Sequence, residues 1–182
     1  NIPKNNFLIL YLGRLNVDKG VYDLIKAADY ILKNHNNINF MFVGPDEEGI
    51  QKKIHNRSIY KDKIHFVNFT DKPEQYMAAA DLFCLPSYRE GFGMAAVEAG
   101  SCGLPVITSR IYGLTDAVEE GVTGLMHPPG DVEELKKLIE YLIKNKNIIK
   151  ILGNKSIKRN NLKFSNHLVE KNFVNYLQET VK

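Results

Sequence analysis

The sequence predicts a doubly wound α/β domain with a mostly parallel sheet. Strand-like and helix-like patterns alternate along all 182 residues. The first strand pattern, Phe7–Leu12, is a continuous apolar run, which is typical of a strand covered on both faces. Ligands in such sheets bind beyond the carboxyl ends of the strands, so we expect functional residues in the turns that follow each strand.

Each predicted strand is a short apolar run that a turn or helix-breaking residue ends. Gly44 and Pro45 stop the second strand, and Pro86 stops the fourth. The predicted strands cover residues 7–12, 39–43, 64–67, 82–85, 106–108 and 124–126.

The intervening segments carry apolar residues at helical spacing, as at Leu24, Ile25 and Ala28. Pro73 suits the first position of a helix, and Asp131 is a predicted N-cap. The predicted helices cover residues 21–33, 47–57, 73–80, 93–101, 132–144, 148–159 and 166–181.

The composition is that of a globular protein, with 44% hydrophobic and 25% charged residues. The net charge of +3 is too small to favour nucleic acid as a partner. Cys84 and Cys102 lie in apolar surroundings, so we expect two buried, reduced thiols and a cytoplasmic location. The five histidines have no metal-ligand spacing, and the sequence predicts no metal site. Neither a signal peptide nor an apolar run of membrane-span length is present.

Two glutamates enclose a glycine turn in the segment Glu90-Gly91-Phe92-Gly93-Met94-Ala95-Ala96-Val97-Glu98. The turn precedes a predicted helix, whose first backbone N–H groups have no partner within the helix. Phosphate oxygens accept from such N–H groups, while carboxylates accept from sugar hydroxyls. The segment therefore predicts a cradle for a phosphorylated sugar. Taken singly, Glu90 is better explained as an exposed loop acid and Glu98 as a capping or surface acid. The pair, with glycines between and two cations after an earlier strand, favours a binding site.

The turn after the first strand offers two cations, Arg14 and Lys19, beside a helix N-terminus. It has neither the G-x-G-x-x-G pattern of dinucleotide sites nor the ending of a P-loop. Arg can contact phosphate oxygens in a bidentate way and Lys adds a mobile charge, although both could be solvated surface residues. Thr70 follows the third strand. The residues of this turn are compatible with a contact to a nucleotide base and equally with an ordinary helix-capping loop.

Together these turns resemble the C-terminal domain of family 4 retaining glycosyltransferases, which have the two-domain, Rossmann-like GT-B fold. The resemblance extends from Phe7 to about Leu142, and its motifs occur in the family's order. They are Gly13-Arg14 with Lys19-Gly20, Phe42-Val43-Gly44, Ala80-Asp81-Leu82, Pro86-Ser87, Glu90-Gly91-Phe92-Gly93 with Glu98-Ala99, Gly103-Leu104-Pro105-Val106 and Gly121-Val122-Thr123-Gly124-Leu125.

The resemblance implies a role for each matched position. Arg14 and Lys19 would hold the donor diphosphate and stabilise it as a leaving group, in place of a metal ion. Glu90 would bind the donor sugar, and transfer would retain the anomeric configuration. The implied donor-binding positions are Gly13, Thr70 (to the base, mainly through its backbone), Phe92, Gly93, Met94, Ala95 (through their amides) and Glu98 (to the ribose).

The sequence departs from the family pattern at three places. Asn68 replaces the usual glycine before the base loop, which puts the detail of the base contact in doubt. Asp116 stands where a longer acid is frequent, and its role is uncertain. The tract at Phe164-Ser165 lacks the tryptophan often found there.

The resemblance also implies a domain arrangement. The family's N-terminal domain, which binds the acceptor and contributes a catalytic histidine, has no counterpart here. Residues 1–182 are therefore expected to form the donor-binding half, with the helices of 145–182 packing toward the other half. A UDP- or GDP-type sugar is the expected donor, and a glycan or lipid-linked acceptor is expected, as in cell-surface polysaccharide synthesis. The positive charge would suit peripheral contact with the inner face of the cell membrane.

Two other functions are compatible with these motifs. One is a sugar-nucleotide epimerase of the same fold, although Arg14 and Lys19 beside the glutamate motif favour transfer. The other is a non-catalytic module that binds a sugar nucleotide.

Overall fold

The structure, a computed structural model, describes residues 2–55 and 60–180. Within them the chain forms a six-stranded sheet in the order β3-β2-β1-β4-β5-β6, and every neighbouring pair is parallel. This confirms the predicted doubly wound α/β fold. The strands are β1 (Phe7–Leu12), β2 (Ile38–Val43), β3 (Ile64–Val67), β4 (Leu82–Leu85), β5 (Val106–Ser109) and β6 (Gly124–His127).

The helices cover both faces of the sheet and follow the predicted order closely. Two 3-10 turns, Val17–Lys19 and Lys61–Lys63, precede α1 and β3. The α-helices are α1 (Val21–Asn34), α2 (Ile50–His55), α3 (Pro73–Ala79), α4 (Met94–Ser101), α5 (Leu114–Ala117), α6 (Val132–Lys144), α7 (Lys146–Lys163) and α8 (Asn166–Thr180).

The second predicted helix begins later than expected, because Asp46 caps it. The Asp46 carboxylate accepts from the amides of Ile50 and Gln51 at 2.8 and 3.0 Å, so residues 46–49 form the capping turn. The predicted ends of this helix at residue 57 and of the last helix at residue 181 lie outside the described residues. Helix α5 was not predicted, since a single turn is too short to show a period.

The strands form the centre of the hydrophobic core, and one of the two cysteines is buried there. Cys84 is fully buried on β4, as predicted. The prediction for Cys102 is wrong, because α4 ends at Ser101 and Cys102 is exposed as its C-cap. Burial raises the pKa of the Cys84 thiol, which keeps it in the neutral form.

The sheet order reverses at β1, which creates a crevice at its carboxyl edge. β1 pairs with β2 on one side (Leu12 with Val43) and with β4 on the other (Leu10 with Phe83). The helices after β1 and β4 leave in opposite directions in such a topology, and the turns before them border an open crevice. The Gly13–Gly20 turn and the Pro86–Gly93 turn therefore face each other.

Helix α7 packs closely on α4 and the turn after it. A side chain at Gly153 would place its Cβ 2.0 Å from the Gly103 carbonyl oxygen. The Asn160 side chain donates to the Val97 carbonyl at 2.7 Å. By contrast, α8 is exposed from residue 169 to residue 180. In the described part of the chain, no helix combines the length and apolar character that crossing a membrane requires.

Candidate functional site

The turns after β1 and β4 meet backbone to backbone at the crevice. The Tyr88 amide donates to the Asp18 carbonyl at 2.8 Å. Gly20 has φ 66° and lies so close to Pro86 that a Cβ there would be 1.9 Å from the Pro86 carbonyl oxygen. Only glycine fits this position. Because the two turns approach so closely here, Lys19, the residue before Gly20, lies against the opposite turn.

Lys19 and Glu90 form an ion pair at the centre of this junction. The Lys19 Nζ to Glu90 Oε1 distance is 2.8 Å, and the side chains are only 16% and 14% exposed. Lys19 also donates to the Arg89 carbonyl at 3.2 Å. The Ser87 hydroxyl donates to the same Glu90 oxygen at 2.9 Å, which fixes the carboxylate from a second side. The sequence assigned Ser87 no role.

A pocket of about 400 Å³ opens above this pair. The three residues assigned to catalysis in the sequence, Arg14, Lys19 and Glu90, all line it. The complete lining consists of Arg14, Asp18, Lys19, Arg89, Glu90 and Gly91, and we call it the cationic pocket. Three cations and two acids around one opening favour an anionic ligand.

Arg14 is at the rim of the cationic pocket and is loosely held. Its guanidinium lies 3.3 Å from Glu47, and the two side chains are 58% and 40% exposed. Asn16 donates to the other Glu47 oxygen at 2.6 Å, and this contact, with help from Arg14, lowers the pKa of the Glu47 carboxyl. Exposed pairs of this kind contribute little free energy, so Arg14 can turn toward an incoming anion at low cost.

A second pocket, of about 300 Å³, adjoins the first and shares Arg14 with it. Gly13 and Thr70 from the predicted set line it. The lining, mostly apolar, is Leu12, Gly13, Arg14, Val43, Gly44, Pro45, Phe69, Thr70 and Pro73, and we call it the apolar pocket. Phe69, which is 77% exposed, was not predicted. An aromatic residue directly after a strand, beside a predicted contact residue, was the available signal.

The Thr70 hydroxyl is already engaged within its own turn. It accepts from the Lys72 amide at 3.1 Å, immediately before α3. The Thr70 side chain thus closes the turn before α3 without capping the helix, and the backbone of Thr70 remains the part suited to a ligand.

The N-terminus of α4 lies at the same edge of the sheet. The Ala96 and Val97 amides donate to the Gly93 carbonyl at 2.9 and 3.3 Å and so begin the helix. The amides of residues 92–95, which the sequence assigned to donor binding, precede these bonds. A Cβ at Gly93 would be 2.5 Å from Leu114, so α5 packs directly under this turn.

Glu98 lies apart from both pockets. It is exposed on α4 and lines neither the cationic nor the apolar pocket. Partial desolvation raises the pKa of its carboxyl. Five of the ten predicted residues thus line the two pockets, residues 92–95 form the start of α4 beside them, and Glu98 lies one helical turn further along.

The turn before α5 supports the Glu90 turn from below. A Cβ at Gly113 would be 2.5 Å from the Gly91 carbonyl oxygen and 2.9 Å from that of Glu90. Asp116, the shortened acid, is exposed, and its backbone carbonyl accepts from Arg159 at 2.7 Å. Among the residues that the structure describes, no group of three or more His, Cys, Asp or Glu side chains could hold a metal ion.

Comparisons with a family model and with curated proteins point to the same family. Residues 1–159 match the family described as glycosyl transferases group 1. A capsular polysaccharide biosynthesis glycosyltransferase, CapM of Staphylococcus aureus, is 29% identical over 167 residues, which are 91% of this chain and 44% of CapM.

Solved structures share the fold of this chain. HepE of Anabaena, solved with UDP and also with UDP-glucose, superposes with a TM-score of 0.88 at 27% identity. The match covers 96% of this chain and 49% of HepE. The C-terminal domain of LpcC, a group 1 glycosyl transferase of Francisella tularensis, has a TM-score of 0.80 at 19% identity and covers 88% of this chain and 87% of that domain.

The chain spans less than half of the length of CapM and of HepE. Its six-stranded parallel sheet is that of a GT-B glycosyltransferase domain. The family match over residues 1–159, together with this fold, places the chain in the glycosyl transferases group 1 family.

Proposed function

We propose that residues 1–182 form the donor-binding domain of a retaining glycosyltransferase that uses a nucleotide-diphospho-sugar. The Lys19–Glu90 pair, held beside Arg14 at the topological switch of the sheet, is the observation that carries this proposal. HepE, with the same fold and 27% identity, was solved with UDP and with UDP-glucose. That likeness supports a UDP-type donor, with GDP as the alternative to be tested.

Arg14 and Lys19 bind the diphosphate in this proposal. Lys19 is fixed by Glu90 and the Arg89 carbonyl, so its ammonium group is in place before the donor arrives. Arg14 swings in from its exposed pair with Glu47 and contacts phosphate oxygens in a bidentate way. Two cations stabilise the negative charge that develops on the leaving diphosphate, which is the contribution a metal ion makes in other transferases.

Glu90 binds hydroxyl groups of the donor sugar and orients its anomeric carbon. One Glu90 oxygen accepts from both Lys19 and Ser87, which leaves the other oxygen for the sugar. The amides of residues 92–95 contact the phosphate and sugar at the positive end of α4. We assign the ribose to Glu98 from the family motif. Glu98 lines neither pocket, but it lies one helical turn beyond the start of α4 at Met94.

The apolar pocket receives the base. Gly13 and the backbone of Thr70 approach its edge, and Phe69 offers an aromatic face. Stacking of a base on an aromatic side chain contributes about 1–3 kcal/mol. Because Arg14 borders both pockets, a nucleoside diphosphate can bridge them.

Isothermal titration calorimetry of the chain with UDP, GDP and ADP tests the proposal. We expect saturable binding of at least one nucleotide, with UDP as the tightest, and no change on addition of EDTA. The proposal is wrong if none of the three binds at millimolar concentration.

We further propose that α8 packs against an acceptor-binding domain, which receives a glycan or lipid-linked acceptor in cell-surface polysaccharide synthesis. Val169, Phe173, Tyr176 and Leu177 are exposed at helical spacing on one side of α8. In a protein that includes both domains, amides of α8 should exchange hydrogen more slowly than in the 182-residue chain. Equal exchange rates in the two proteins would exclude this contact.

A peripheral contact with an anionic membrane face, on the cytoplasmic side, is also proposed. Helix α7 has no acidic residue, and its exposed basic residues are Lys146, Lys150, Lys155, Lys158 and Lys163. Its Arg159 is instead bonded to the Ala117 and Asp116 carbonyls. Clusters of 4–8 basic residues attract anionic lipids. We expect the chain to co-sediment with phosphatidylserine-containing vesicles at low salt but not with pure phosphatidylcholine vesicles. Equal sedimentation with both would exclude an electrostatic contact.

A further inference from the structure

We propose that Tyr88 and Asp23 are positioning residues that brace the Lys19–Glu90 pair for donor binding. The inference rests on the proposed function of that pair, and neither residue belongs to the predicted site. Tyr88 is in the turn after β4, two positions before Glu90. Asp23 is in the first turn of α1, four positions after Lys19.

The bond between them joins the two sides of the crevice. The Tyr88 hydroxyl donates to Asp23 Oδ2 at 2.5 Å, and the Asp23 side chain is only 9% exposed. The hydroxyl reaches inward over the loop before α6, where a Cβ at Gly130 would be 3.1 Å from it. The phenol is protonated at neutral pH, and its hydrogen bond to Asp23 raises the pKa of Tyr88 further, to about 12.

The Tyr88–Asp23 bond joins the same two segments of the chain as the Lys19–Glu90 pair. Lys19 and Asp23 lie on one side of the crevice, and Glu90 and Tyr88 lie on the other, so the two contacts together resist both separation and sliding. If the two segments shifted by one residue relative to each other, the Glu90 carboxylate would lose its contact with Lys19. It would then lie closer to the bound diphosphate. A displaced carboxylate in that place would repel the donor.

The other side-chain link between these turns is weaker. Arg89 and Asp18 approach to 3.9 Å, with side chains 81% and 58% exposed, and such pairs contribute little. The Tyr88–Asp23 bond has an ionised, buried acceptor, and bonds of this type are about twice as strong as neutral ones. It is therefore the stronger of these two side-chain links, and it acts beside the Lys19–Glu90 pair and the backbone bond from Tyr88 to Asp18.

Tyr88→Phe tests the brace. We expect the dissociation constant for UDP to rise about 5- to 10-fold. This is less than the loss of a direct charge-assisted contact, because the bond positions Glu90 and does not touch UDP. In the nucleotide-free chain, amides 87–91 should exchange hydrogen faster than in the wild type. Tyr30→Phe is the matched control, since Tyr30 is a phenol on α1 with 42% exposure against 41% for Tyr88, and it should change neither quantity.

The double variant Tyr88→Phe/Asp23→Asn separates positioning from stability. In Tyr88→Phe the buried Asp23 carboxylate loses its shorter donor and keeps the 3.4 Å contact with the exposed Lys26. Asp23→Asn removes the charge, so the melting temperature should recover in part. UDP affinity should stay low, because the link across the crevice is still missing. Recovery of affinity together with stability, or unchanged affinity and exchange in Tyr88→Phe, would overturn the proposal. If the wild-type chain binds no nucleotide, the proposed function is wrong. The exchange rates of amides 87–91 in Tyr88→Phe and the wild type would then still show whether the Tyr88–Asp23 bond holds the turn.

Discussion

Lys19→Ala is expected to weaken UDP binding about 100-fold. The change removes a charge-assisted contact to the diphosphate, and it also leaves the Glu90 carboxylate, only 14% exposed, without its cation. That carboxylate then faces the incoming phosphates and repels them. Calorimetry with UDP measures the effect, and circular dichroism checks that the fold is retained.

The matched control for this change is Lys137→Ala. Lys137 is 73% exposed on α6 and pairs with Glu134 of the same helix at 3.2 Å, so the substitution removes an equal charge away from the crevice. It should leave UDP affinity unchanged. If Lys19→Ala binds UDP within about twofold of the wild type, Lys19 does not hold the diphosphate.

Gly20→Ala is expected to lower the free energy of unfolding by about 3–5 kcal/mol. Gly20 has φ 66°, a conformation that costs alanine about 1–2 kcal/mol. The added Cβ would also be 1.9 Å from the Pro86 carbonyl oxygen, so the turns after β1 and β4 must move apart. Urea denaturation measures the loss, and UDP binding should fall with it, since the separated turns carry Lys19 and Glu90.

Gly49→Ala isolates the part of this loss that comes from the contact. Gly49 has φ 65°, nearly the same as Gly20, but no atom lies within 4 Å of the Cβ that alanine would add. Its substitution should cost only the backbone strain of about 1–2 kcal/mol and leave UDP binding intact. Equal losses in the two variants would show that the close approach of the turns contributes nothing to stability.

The fold was predictable because the strands are short, mostly apolar runs, and Gly44, Pro45 or Pro86 mark the ends of two of them. Three strands, β1, β3 and β4, have the predicted bounds. In a parallel sheet these runs need no cross-strand information to be recognised. Helix α5 was missed because one turn carries no period, and Cys102 was misplaced because burial depends on where α4 ends.

The sequence predicted which turns of the backbone meet at the site, but it did not predict which side chains bond one another there. Arg14, Lys19 and Glu90 converge because topology alone brings the turns after β1 and β4 together. The contribution of Ser87 depends on a rotamer that points back toward Glu90, and no pattern of residue types reveals it. The Tyr88–Asp23 bond joins residues 65 positions apart, which only the three-dimensional structure can show.

The glycines that frame the cationic pocket limit how the protein can be altered. Side chains at Gly20 and Gly113 would collide with backbone carbonyls of the Pro86–Gly93 turn, and one at Gly93 would meet the Leu114 side chain. Gly91, which lines the pocket, has no atom within 4 Å of an added Cβ and is the position open to variation there. The apolar pocket differs, because its Phe69 projects from an exposed loop. Engineering of nucleotide preference should therefore concentrate on residues 68–73, where libraries can vary side chains while the phosphate-binding half stays fixed.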